Sequence, residues 1–240
     1  MPDLSATPGR RVTVFGLGGT IAMTASEGGG VVPALSADQL VAAVPGLADS
    51  GITVEVQDFR RVPGASLTFD DLEELIEAIR RCLADGVDGV VVTQGTDTIE
   101  ETAYLLDLSL GRSEPVVVTG AMRNPTLAGA DGPANLLAAV QVAASIPARD
   151  LGVLVVFADE IHAASRVRKT HSTSGFTFQS PTGGPLGYVV EGRPRIVNRP
   201  EARITLPAAG RWRTVEVGLV RVLAGGRWES SSGKATIGSA

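Results

Sequence analysis

The sequence predicts an α/β fold, a mainly parallel sheet flanked by helices in a three-layer arrangement. Three observations predict it. Short runs of β-branched residues alternate with amphipathic stretches, which is the cadence of βαβ units. In one such stretch Leu72, Leu75, Ile76, Ile79 and Leu83 fall at i, i+3, i+4, i+7 and i+11, a single helix face. Two strand runs also end directly in glycine-bearing turns, the place where open α/β sheets put their ligands.

Taken in order, residues 11–15, 52–56, 87–93, 115–119 and 151–157 read as strands. The helix between the second and third has Asp70 and Asp71 before it and Gly86 after it. Cys82 adjoins its apolar stripe and reads as core packing rather than a nucleophile. The next helix opens with Thr98 and Glu101 at capping-box spacing, followed by Ala103, Leu105, Leu106 and Leu108. A third runs over about 133–146. After Gly183 the helical periodicity disappears, and 186–190 and 215–223 read as further strands with proline-bearing connections. Residues 1–223 are expected to form one domain and 224–240, rich in glycine and serine, a polar tail.

Composition narrows the function. With 44% hydrophobic and 20% charged residues over 240 positions, the chain can bury a substantial core, which excludes disorder as its overall state. Twenty-one Lys and Arg against 26 Asp and Glu leave no basic surplus for a phosphate backbone, so no nucleic-acid partner is expected. A lone cysteine forms no internal disulfide, and two histidines without a cysteine pair make a poor zinc site. The longest apolar run, near 151–158, is far short of the roughly 20 residues a membrane span needs. The first residues, MPDLSATPGRR, lack the apolar core of a signal peptide, so the expected location is cytoplasmic, with no membrane partner.

Two turns are candidates for chemistry. Gly16-Leu17-Gly18-Gly19-Thr20 follows the first strand, but it lacks the Gly-Lys-Ser/Thr ending of a phosphate loop and has Ile21 where a dinucleotide fingerprint needs glycine. It reads either as a tight turn with a structural threonine or as a ligand-facing turn ending in a hydroxyl. Thr93-Gln94-Gly95-Thr96-Asp97-Thr98 again lies between a strand and a helix, where Asp97 or Thr98 is expected to cap the helix. Two strand-end threonines beside glycine also suit a site in which backbone N–H groups approach a substrate closely. His162 and His171 read as solvated loop residues, since nothing nearby completes a metal set.

These motifs, in this order, resemble the bacterial-type L-asparaginases and glutaminase-asparaginases. The resemblance is carried by Gly18-Gly19-Thr20-Ile21-Ala22 and by Gly95-Thr96-Asp97-Thr98 running on through Ile99 to Tyr104. Thr119-Gly120-Ala121-Met122-Arg123 and Ala130-Asp131-Gly132-Pro133 with Asn135-Leu136 add to it, and it extends over about 11–223. It implies an asparaginase N-terminal-domain-like fold and a cytoplasmic amidohydrolase of asparagine metabolism, working as a homo-oligomer. The reaction it implies is hydrolysis of L-asparagine to L-aspartate and ammonia through an acyl-threonine, with no metal or organic cofactor. L-glutamine, another amide, or a non-catalytic amino-acid-binding role are the alternatives.

By the same resemblance Thr20 is the nucleophile, and Thr96, Asp97 and Lys169 form a second hydrogen-bonded group. Ser66 and Asp97 would hold the α-carboxylate and α-ammonium. A threonine hydroxyl is a poor nucleophile at its free pKa and needs a proton acceptor, which a lysine held among other groups can help supply. Read by itself, Lys169 is a surface charge between Arg166 and Arg168, and Ser66 an ordinary turn serine.

The sequence departs from the family in two respects. The lid after the first strand usually supplies a tyrosine, whereas residues 23–33 contain none; Thr24 and Ser26 are the hydroxyls there, and glycines 28 to 30 suit a moving lid. Family members also carry a second, smaller α/β domain beyond the point that 215–223 reaches, so the expectation is an N-terminal domain without that partner.

Overall fold

In β1 (Arg11–Gly16) all but the first residue is buried, and in β5 (Gly89–Thr93), β6 (Val116–Thr119) and β7 (Val153–Phe157) every residue is. Such runs of valine belong in the middle of a parallel sheet covered on both faces. The structure, a computed structural model, describes residues 9–25, 31–33, 35–200 and 203–206. All of these fall in one compact unit, Met1–Ala208. The expected strand at 215–223, the tail at 224–240 and lid residues 26–30 lie outside the described residues.

In chain order the remaining elements are β2 (Met23–Ala25), β3 (Val31–Pro33), α1 (Ala37–Ala42), β4 (Thr53–Asp58), α2 (Phe69–Ala84), α3 (Ile99–Leu110), α4 (Gly132–Ala143), β8 (Glu160–Ala163), β9 (Arg168–Lys169), β10 (Phe178–Gln179), β11 (Gly187–Val190) and β12 (Arg193–Ile196). Eight of the strands form one sheet in the order β12-β11-β8-β7-β6-β5-β1-β4. From β4 to β7 the neighbours are parallel; β8, β11 and β12 extend the sheet antiparallel. The α/β reading and its mainly parallel sheet therefore hold. One core, with Val14, Val91, Val117 and Leu154 of the sheet, packs Leu40 of α1 and Leu136 and Val140 of α4. The other, with Phe15, Val90, Val118 and Val155, packs Leu75 and Ile79 of α2 and Leu106 of α3. These are the two helical layers.

Three local readings need correction, and one helix is added. Asp70 and Asp71 do not precede α2 but fill its first turn, because Thr68 is the N-cap: its hydroxyl accepts from the Asp71 amide while Asp71 accepts from the Thr68 amide. The Thr68 hydroxyl, which donates to Asp71 Oδ2 at 2.6 Å, then Arg60 and the Thr68 amide hold the Asp71 carboxyl down at about 2. Helix α1, capped reciprocally by Ser36 and Gln39, is an element the periodicity did not reveal. Thr98 makes no capping box with Glu101; its hydroxyl donates to the Gly64 carbonyl instead. His162 is not a solvated loop residue but lies fully buried in β8. Cys82 packs against the α2 core as expected, and burial pushes its thiol up, away from nucleophilic reactivity. Among the described residues no helix is long and apolar enough to cross a membrane.

Candidate active site

The carboxyl ends of β1, β4, β5 and β6 converge on one rim, and glycine sets how closely. Gly18 and Gly19 both have positive φ, 95° and 83°, which turns the chain sharply after β1 and delivers Thr20 into a short 3₁₀ turn, Thr20–Ala22. A Cβ on Gly19 would lie 2.2 Å from the Gly95 amide nitrogen, so the Thr20 turn and the loop after β5 touch backbone to backbone. Gly64 abuts the same loop, since its Cβ would come within 2.7 Å of the Gly95 carbonyl oxygen. The Leu17 amide donates to the Thr93 carbonyl at 2.9 Å and locks the first two turns together.

The second group assembles around Lys169. Its Nζ donates to Thr96 Oγ1 at 2.9 Å and to Asp97 Oδ1 at 3.0 Å. The lysine side chain is only 17% exposed while that of Asp97 is 67% exposed, so the amine is sheltered and the carboxylate faces solvent. Thr98 occupies the N-cap position of α3, as one of the two residues was expected to, but its side chain makes no capping bond: it ties the β5 loop to Gly64, while Asp97 takes the lysine. The reading of Lys169 as a surface charge therefore fails. Its neighbours come from 72 and 73 residues away in sequence.

Thr20 stands on the adjoining turn, partly buried, with no side-chain hydrogen bond among the described residues. Ser66 ends the 3₁₀ turn Gly64–Ser66, exposed, its hydroxyl unbonded among the described residues. The structure thus bonds Thr96, Asp97 and Lys169 directly, and brings the turns of Thr20 and Ser66 against the same loop without a side-chain link. Thr24 is described in its backbone only, and Ser26 lies outside the described residues. Among the described residues no cluster of three or more His, Cys, Asp or Glu could hold a metal.

Sequence reasoning gave no role to the residues that hold this arrangement, although several lie in the motifs that carry the resemblance. Glu100 Oε2 accepts from the Lys169 amide at 2.9 Å, fixing the lysine's backbone from the first turn of α3. Asp131 accepts from the amides of Met122 and Arg123, and buried Asn135 donates to the Gly120 carbonyl and accepts from the Ala158 amide. Together they shape the loop after β6. The available signal was Asn135 itself, a polar residue immediately before the apolar Leu-Leu-Ala-Ala-Val run of α4. Gln94, fully buried beneath the β5 loop, donates to Thr98, and its Oε1 has no partner among the described residues.

The family model described as asparaginase, N-terminal, matches residues 11–202. A glutaminase-asparaginase of Pseudomonas aeruginosa is 40% identical over 195 residues, which cover 81% of this chain and 52% of that protein. A probable periplasmic L-asparaginase of Haemophilus influenzae is 36% identical over 205 residues, 81% of this chain and 56% of the other. The crystal structure of a probable cytoplasmic L-asparaginase from Campylobacter jejuni superposes with a TM-score of 0.72 at 39% identity, over 79% of this chain and 57% of that one. The chain spans about half the length of the curated relatives it matches. A family match that takes in the Thr20 turn, the Thr96-Asp97 loop and the Lys169 strand together shows that this chain belongs to the asparaginase N-terminal domain family.

Proposed function

We propose that the protein is an amidohydrolase that converts L-asparagine to L-aspartate and ammonia through an acyl-threonine intermediate. Thr20 Oγ1 attacks the side-chain amide carbon, and backbone N–H groups of the glycine turns stabilise the oxyanion that forms. The Thr96-Asp97-Lys169 group moves the protons: one leaves the attacking hydroxyl, and one reaches the departing nitrogen so that it leaves as ammonia. Water then opens the ester, returning the proton to Thr20. Ser66 holds the α-carboxylate and solvent-facing Asp97 the α-ammonium.

The observation that carries this reading is the lysine. Of 21 cationic side chains only Lys169 and Lys234 are lysines, and Lys169 lies 2.9 Å from a threonine hydroxyl at the carboxyl rim of the sheet. An arginine there would carry charge but could not give up its proton. The glutaminase-asparaginase relative favours L-glutamine as a second substrate. We further propose a cytoplasmic location, supported by the relative from Campylobacter jejuni, and a homo-oligomer, supported by apolar side chains exposed along β11 and beyond β12, namely Tyr188, Val190 and Val197. Ammonia release from a panel of amides tests the chemistry: asparagine turns over, and no release from asparagine or glutamine contradicts the proposal. Light scattering tests the assembly, which a monodisperse monomer would contradict.

A further inference from the structure

Lys169 reaches its partners from a strand of two residues, and β9 pairs only with the two residues of β10, Phe178 opposite Lys169 and Gln179 opposite Arg168. So small a ladder cannot hold itself in place. The loop joining the two strands is tied internally, with the Thr170 amide donating to the Thr177 carbonyl at 2.7 Å, but that does not attach it to the sheet.

On the entering side Val167 is buried in the sheet's core and its amide donates to the Ala163 carbonyl of β8 at 3.1 Å; on the returning side the attachment lies at β10 and just beyond. The Phe178 ring packs on Phe157 of β7 with centroids 4.9 Å apart. Two residues on, Ser180 Oγ lies 2.9 Å from His162 Nδ1. His162 pairs with Val155 of β7, so it shares the sheet face that Val155, Phe157 and Phe178 line. An imidazole in that apolar layer carries a desolvation cost, and one hydrogen bond to Ser180 is what offsets it. Burial lowers its pKa to about 4, so the ring is neutral near pH 7. Its Nε2 lies 3.3 Å from Glu160 Oε2 but makes no hydrogen bond. Neither His162 nor Ser180 has a part in the proposed amide chemistry.

We propose that His162 is a positioning residue: its bond to Ser180 fixes the β9–β10 hairpin on the sheet and so holds Lys169 Nζ against Thr96 and Asp97. The proposal rests on the reading of Lys169 as the proton-handling group. Glu100 restrains the Lys169 amide from α3, and Ser180 restrains the paired strand from the sheet side; both are needed because the lysine must be placed to within a fraction of an ångström.

With two lysines in the chain, protein labelled with ¹³Cε-lysine gives two resonances, and Lys169→Arg assigns them. The Lys169 resonance moves toward that of free lysine in Ser180→Ala and in His162→Leu. It keeps its parent position in Ser180→Thr and His162→Asn, which retain a hydrogen-bonding group at each place. In ammonia release, Ser180→Ala loses about tenfold in kcat, and the same change in a Lys169→Met background alters kcat by less than about twofold. Thermal melts identify the variants that are folded. An unmoved Lys169 resonance in folded Ser180→Ala, or losses that simply multiply in the double variant, overturns the proposal. A parent that releases no ammonia sinks the amidase reading alone, and the resonance still decides the role of His162.

Discussion

Thr20 rides on a turn whose neighbours are backbone, whereas Lys169 rides on a two-residue strand held by side chains. On the Thr20 side, Gly18, Gly19, Gly64 and Gly95 let three loops meet with no room for a Cβ. On the Lys169 side, Glu100, Phe178 and the Ser180–His162 pair fix the position by hydrogen bonds and ring packing. The difference teaches that the two halves of the site fail differently. Backbone packing is nearly all-or-none, because a misplaced methyl group meets atoms that cannot move aside, while side-chain restraint is graded and can be loosened one bond at a time.

The sharpest way to break the contrast is Gly19→Ala. The added Cβ would meet the Gly95 backbone at 2.2 Å, from a φ of 83° that alanine rarely adopts. We expect a loss of about 3 kcal/mol or more, read as a lower denaturation midpoint, together with loss of activity. Thr20→Ala should do the opposite, leaving the melt unchanged while abolishing kcat, since it removes one hydroxyl that bonds nothing among the described residues. A variant that turns over asparagine as fast as the parent refutes the nucleophile assignment. Lys169→Met keeps the stem and deletes the amine, and kcat should fall about 10²-fold. A change under about twofold would return Lys169 to a structural role.

A pH series sharpens the side-chain half. The unfolded chain takes up a proton on His162 near its ordinary 6.5, and the folded one resists until about 4. Stability should therefore fall as pH drops from 6.5 toward 4 and recover as pH rises through that window, by at most about 3 kcal/mol from this group. Burial raises the carboxyls of Glu160 and Asp107, which bias stability the other way. The reading is accordingly the difference between parent and His162→Asn: the parent should lose more over that range, and parallel curves would contradict it. The smallest effect belongs to Thr98→Val, which deletes the 3.0 Å bond to the Gly64 carbonyl and the 3.3 Å bond from Gln94 and should cost about 1 to 2 kcal/mol in chemical denaturation.

The same contrast explains what could be read in the sequence. The valine runs of β1 and β5 to β7 were legible because strands buried on both faces show continuous apolar residues. The glycine turns were legible because glycine is the residue such contacts demand. Of the antiparallel extension only β11 was legible, as the run 186–190, while β8 and β12 were not. Ala158 and Asp159 join β7 to β8 with φ of 49° and 62°, the geometry of a tight hairpin turn without the Asn-Gly signature that announces one. Asn135 supports that turn at the Ala158 amide, from a helix 23 residues earlier. With β8 hidden, His162 looked like a loop residue. Lys169 could be placed only by resemblance, since its sequence neighbours Arg166 and Arg168 suggest a charged surface and its true neighbours are distant in the chain.

Two threonines compete for the central role, Thr20 on the glycine turn and Thr96 beside the lysine. Acid-quenching the enzyme during turnover of L-asparagine, followed by peptide mass spectrometry, distinguishes them. The account predicts an aspartyl ester on the peptide containing Thr20, absent in Thr20→Ala. Asparagine hydrolysis with the ester mapped to Thr96 would contradict it.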